Sequence, residues 1–186
     1  MSELLHSARE DELLEELKHI GTQMCDKLES IVRNYPDGVC YLLGHCLAEG
    51  LSQAGLTANS VTGHFIFKNK QYKNIVYGSR RHKGMNIGDY HTWCVLTHND
   101  EEIIIDPSIR FDKNSLPRLF GIKLHPSLPD VIVTSKSKSS YYEYIADERL
   151  TPLSLGFLHR THFSIKDRLI ETVREHSAQL AAAVTT

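Results

Sequence analysis

Residues 90–108 read YHTWCVLTHNDEEIIIDPS, two β-rich runs separated by the pair Asn99-Asp100. Asn and Asp tolerate the positive φ that a two-residue hairpin turn demands, so the segment predicts two antiparallel strands joined at Asn99 and Asp100. With that turn His98 pairs Glu101, Trp93 stands opposite Asp106, and His91 stands opposite Ser108. Residues two apart on a strand share a face, and so do cross-strand partners. His91, Trp93 and Asp106 therefore fall on one face, with His91 and Asp106 as diagonal neighbours. A turn longer by one residue would send them to opposite faces.

A histidine oriented by a carboxylate is the base half of a nucleophilic site, and it needs a nucleophile. Upstream, residues 36–56 read PDGVCYLLGHCLAEGLSQAGL, a turn running directly into an apolar helix from Cys40 to about Ala54, with Gly55 as its C-terminal cap. Leu42, Leu43, Cys46, Leu47, Ala48 and Leu51 surround this helix with apolar side chains, which predicts a central buried helix. Cys40 opens it. There the partial positive charge and unpaired amides of the helix start favour thiolate, the reactive form of cysteine. Cys25, Cys46 and Cys94 lie inside apolar runs and read as free, packed thiols. Taken alone, each residue has an ordinary explanation: a buried thiol at Cys40, a core imidazole at His91, a strand end before Pro107 at Asp106. Their combination favours catalysis.

The ordered set GVCYLLGHCLAEGLSQAGLTANSVTGHF, HTW and IIIDPS resembles the transglutaminase-like superfamily: Cys at a helix start, Gly closing that helix, a strand ending in Gly, His-x-Trp on the next strand and Asp-Pro on the last. The match falls on Cys40, Gly55, Gly63, His91, Trp93, Asp106 and Pro107, and covers about residues 36–110. The resemblance implies an α+β, papain-like/transglutaminase-like core, in which a central helix carrying Cys40 packs on an antiparallel sheet carrying His91 and Asp106. It implies a Cys40, His91, Asp106 triad acting on an amide through an acyl-enzyme, as a peptidase, amidase, glutamine deamidase or transglutaminase. Trp93 is then a wall of the cleft beside the imidazole. Tyr35, with Asn34, is the candidate for the second oxyanion donor. The segment between Gly63 and His91 is longer than the compact family core requires, and residues 111–186 match no part of the pattern.

The remaining chain is organised around this core. Leu13, Leu17, Ile20, Met24, Leu28 and Ile31 recur at helical spacing, predicting an amphipathic helix over about residues 9–33. Strands are expected at about 57–67 and 71–77 around a turn at Asn69 and Lys70, and again in LPDVIVTS. SRRHKGMNIGD and SKSKSSYYEY read as polar loops, and a final helix opens at Ser164 and runs over about 165–182 with Leu169, Val173 and Leu180 inward. At 186 residues the chain fits one domain, 1–186.

A formal net charge of −2 gives no global drive toward nucleic acid or an anionic membrane. The acidic, amphipathic N-terminus is unlike a secretory leader, which makes the cytoplasm the expected compartment, while export without a leader stays compatible with the sequence. The 11 histidines form no local zinc signature with the cysteines, so neither a metal nor another cofactor is expected. Lys68, Lys70, Lys73, Arg80, Arg81 and Lys83 fall in one stretch without an acidic residue. Its ordinary reading is a solvated hairpin and loop; its sharper one is a basic lid steering an acidic protein or peptide substrate. The rival to an enzyme is a non-catalytic protein-binding module that retains the fold and uses the N-terminal helix and basic segment as contact surfaces.

Overall fold

The computed structural model describes residues 2–32, 38–68, 73–78, 82–161 and 163–184. Helix α1 (Ser2–Ile31) is followed by α2 (Cys40–Gln53), then strands β1 (Ala58–Phe67), β2 (Ile75–Tyr77), β3 (Met85–Gly88), β4 (His91–His98) and β5 (Glu101–Asp106). Next come α3 (Ile109–Phe120), β6 (Ile132–Thr134) and β7 (Tyr142–Ala146). A single 3-10 turn then leads into α4 (Thr151–Thr161) and α5 (Phe163–Val184). The fold is α+β. No helix among the described residues is long and apolar enough to cross a membrane.

The strands form one sheet in the order β3-β2-β1-β4-β5-β6, with β7 pairing β1. β1 organises it, pairing β4 through Ala58–Gly63 and β7 through Gly63–Phe67. Its last three residues also pair β2, so Phe65, Ile66 and Phe67 have a strand on both edges. The β4–β5 hairpin has the predicted register: His98 pairs Glu101 and Cys94 pairs Ile105. Asn99 and Asp100 take φ of 50° and 63°, the left-handed pair that a two-residue turn requires.

That register sorts side chains onto two faces. Cys94, Leu96, Ile103 and Ile105 join a core built from α1, α2 and α5, while Trp93, Val95 and Ile104 join Phe65, Phe67, Ile109 and Leu116 in a second cluster. α2 is buried nearly all round, as its apolar perimeter predicts, because the sheet covers one side and α5 another. It lies so close to β4 that a side-chain carbon at Gly44 would press on Thr92, including its carbonyl. Cys40, one turn earlier, is thereby held at the end of β4 that begins with His91.

Four expectations are corrected. α1 begins at Ser2 rather than near residue 9, because no glycine or proline precedes Gly21 and the segment is rich in strong helix formers. The glycine-containing segment expected as a loop holds β3, which pairs parallel with β2. SKSKSSYYEY, expected as a polar loop, leads into β7, whose Tyr142, Tyr144 and Ala146 alternate behind the serines and lysines that hid the pattern. β2 begins at Ile75 rather than 71, whereas β1 runs to Phe67 as the expected 57–67 strand does, passing the Gly63 at which the resemblance would end it. Asn34, Tyr35, Asn69, Lys70, Arg80 and Arg81 lie outside the described residues.

Candidate active site

His91 is the first residue of β4 and Asp106 the last of β5, and both are 0% exposed. Their side chains meet as the hairpin register requires, with Nε2 of His91 2.7 Å from Oδ2 of Asp106. The same oxygen accepts the Tyr144 hydroxyl at 2.8 Å. Oδ1 accepts the Ser108 backbone N–H at 3.0 Å and the Ser108 hydroxyl at 2.6 Å. Burial alone would raise the pKa of Asp106, but the His91 charge and these donors outweigh it and hold the carboxyl below its usual range.

Burial likewise opposes charge on His91, and the Asp106 carboxylate followed by the Cys40 thiol overcomes it, holding the imidazole pKa well above its ordinary value. Nδ1 of His91 is buried without a hydrogen-bond partner among the described residues. The Cys40 thiol lies near enough to act on the ring electrostatically, without a well-formed hydrogen bond to it. With Nε2 committed to Asp106, Nδ1 is the nitrogen left for proton exchange with a neighbour.

Cys40 is buried to 8% exposure, the one member of the three with any contact with solvent. Val39 caps its helix without a side-chain hydrogen bond, and no acidic residue lies in the first turn. The start of α2 therefore presents its positive dipole end at Cys40, with no carboxylate of its own first turn to offset it. The other thiols differ. Burial raises the pKa of Cys25 and Cys94 far above the ordinary value and pushes Cys46 up to about 12.

Aromatic rings enclose the imidazole. Phe65 stacks on His91 with centroids 4.6 Å apart, and Trp93 lies at 6.2 Å, also stacked. Tyr77 at 5.3 Å and Tyr144 at 6.3 Å are tilted against it. β1 arranges this set: Gly63 pairs His91, and Phe65, two residues on, pairs both Tyr77 and Tyr144. A side-chain carbon at Gly63 would collide with the Ile145 carbonyl, so the close approach of β7, and with it the reach of Tyr144 to Asp106, depends on glycine there. Trp93 therefore sits beside His91, while Tyr35 lies outside the described residues.

Phe65, Tyr77, Ser108, Asp112 and Tyr144 were not singled out in the sequence. Alternation in GHFIF puts Phe65 on the face of Gly63, a usable signal; Tyr144, 38 residues after Asp106, leaves none. The corner after Asp106 is braced by α1. The Cys25 thiol donates to the Pro107 carbonyl at 3.3 Å, and Arg110 reaches both Asp26 and Glu29, at 2.7 Å and 2.5 Å. Among the described residues no three His, Cys, Asp or Glu side chains converge as a metal site.

Asp112, in the first turn of α3, is a second buried carboxyl beside this pair. Its Oδ1 accepts the Tyr77 hydroxyl at 2.6 Å, while Oδ2 is buried without a hydrogen-bond partner among the described residues. Burial raises its pKa to about 7, against smaller lowering by His91 and Tyr77. Because the folded pKa lies above the unfolded one, the native state holds more protons between them. The group's stabilising contribution is complete below about pH 4 and is lost as pH rises through about 7. Asp112→Asn keeps the acceptor for Tyr77 but cannot ionise. Its stability relative to wild type is expected to climb between pH 4 and pH 8, by at most about 4 kcal/mol, in denaturant titrations. A flat difference across that range would show that Asp112 does not titrate there.

No family model matches the chain, and no curated protein matches it. Among solved structures, the crystal structure of a genomics target is similar with a TM-score of 0.52 and 11% identity, covering 87% of this chain and 78% of that chain. This likeness concerns fold alone.

Proposed function

We propose that the chain is a papain-like thiol enzyme of the transglutaminase-like type that acts on an amide through Cys40, His91 and Asp106. One observation carries the reading: a fully buried imidazole tied through Nε2 to a four-donor carboxylate, with its other nitrogen unpartnered among the described residues and beside a thiol at a helix start.

In this reading Cys40 transfers its proton to Nδ1 of His91, and the thiolate attacks the amide carbon. The carbonyl π pair moves onto oxygen, where backbone N–H groups at the start of α2 hold the oxyanion. As the tetrahedral intermediate collapses, the C–N bond breaks and His91 returns the proton to the departing amine, leaving a thioester on Cys40. The acceptor then loses a proton to His91 as its oxygen or nitrogen attacks the thioester, and the thiol regains that proton. Asp106 fixes the ring and stabilises its cation throughout. Water as acceptor gives a peptidase, amidase or glutamine deamidase, and an amine gives a transglutaminase; protein or peptide amides are the proposed substrates.

Incubation with cell lysate followed by acid quenching is expected to leave a hydroxylamine-labile mass increment on the peptide containing Cys40. Cys40→Ala should carry none. The added mass assigns the acyl group, and an unmodified Cys40 under turnover-blocking acid quench would count against acyl transfer.

A further inference from the structure

Beyond the thiol site, a cavity of about 1080 Å³ opens where β1 and β2 meet the segment following α3. Its floor is apolar, with Phe67, Ile75 and Leu128 all buried. Lys68, Lys73 and Lys123 stand around it, and no carboxylate lines it among the described residues. Lys68 is already engaged, bonded to the Ser139 carbonyl at 2.8 Å and 3.4 Å from Glu143. Lys73 and Lys123 are the rim cations with no ion pair among the described residues.

Concave apolar sites with a few polar groups at the mouth are the usual form of small-molecule pockets, and this one is at the upper end of their ordinary size. An apolar floor takes the body of a ligand, and lysines without neighbouring carboxylates select an anion for its head. We infer that the cavity binds a small amphiphile, an apolar chain carrying a carboxylate or phosphate head. The head meets Lys73 and Lys123 while the chain lies on Phe67, Ile75 and Leu128.

The site is adjacent to the imidazole yet separate from it. The ring of Phe67 meets Phe65 edge-on at 4.6 Å, and Phe65 stacks on His91 at 4.6 Å, so one ring stands between cavity floor and imidazole. The inference does not depend on Cys40 being a nucleophile.

Calorimetry with decanoate and decyl phosphate, below their micelle concentrations and at low salt, tests it, with decyltrimethylammonium as the cationic counterpart. At least one anion should bind, at least about tenfold more tightly than the cation, the difference expected from a charge-assisted contact. Preference between the two anions assigns the head as carboxylate or phosphate. In the double variant Lys73→Ala, Lys123→Ala that advantage should vanish, and Leu124→Asp, which adds a carboxylate to the lining, should abolish anion binding; circular dichroism confirms that each variant folds. Equal affinity for anion and cation, no binding of either anion, or an unaltered anion affinity in the double lysine variant would overturn the assignment.

Discussion

Iodoacetamide at pH 7 is expected to alkylate Cys40 at least about a thousandfold faster than Cys25, Cys46 or Cys94. At a pKa of about 12 a thiol such as Cys46 is thiolate in a fraction on the order of 10⁻⁵ near neutral pH. Cys25 and Cys94 are more disfavoured still, and all three are 0% exposed. Cys40 has the helix start, the imidazole and a path to solvent. Burial of the other three would by itself yield a ranking, so the sharper comparisons are with the same thiol in the denatured chain and in His91→Ala. Native Cys40 should react faster than denatured Cys40, and His91→Ala should remove that excess while leaving the fold, followed by circular dichroism, intact. Equal rates for Cys40 in the native, denatured and His91→Ala proteins would end the catalytic reading and leave the binding module in its place.

Asp106→Ala is expected to cost about 3–5 kcal/mol of stability, the range for removing one partner of a buried ion pair. The change strands His91 in the aromatic enclosure and leaves the Tyr144 and Ser108 hydroxyls without their shared acceptor. Asp106→Asn retains part of the hydrogen bonding and should cost less, yet it lacks the charge that holds His91 protonated, so Cys40 labelling should fall in both variants. The pH dependence follows from the two shifts. Asp106 has a lowered folded pKa, so its contribution is present above the unfolded carboxylate value and lost as pH falls. His91 has a raised one, so its contribution is complete below the unfolded imidazole value and lost as pH rises through the folded value. Denaturant titrations of wild type and Asp106→Asn should therefore differ most near neutral pH and converge in acid. A uniform offset would mean that the charge of the pair is not what stabilises it.

The hairpin and the central helix were legible because each rests on local chemistry. Asn99 and Asp100 permit one turn type, that turn fixes the register, and register fixes which side chains face together. Cys40 was legible because a glycine-containing turn and an apolar perimeter announce a helix start. The rest of the enclosure was not readable for a physical reason: Phe65, Tyr77 and Tyr144 reach His91 only because β1 continues past Gly63 and accepts strands on both edges. Pairings of residues so far apart in the chain depend on tertiary packing rather than on any local pattern. Asp112 was hidden similarly, since SIRFDKN gives no sign that its carboxyl turns inward to Tyr77.

The position of α5 adds a consequence in time. The helix carrying Cys40 is clasped from one side by β4 and from the other by α5, whose Val173 lies where a side chain at Gly50 would need to be. Asp106, meanwhile, receives its fourth donor from Tyr144. A nascent chain therefore makes its thiol early and its last supports late, and contacts of such long sequence separation are slow to close. Until Tyr144 and α5 have been made, Cys40 lacks both of these supports and stands beside Cys25, Cys46 and, once it is made, Cys94.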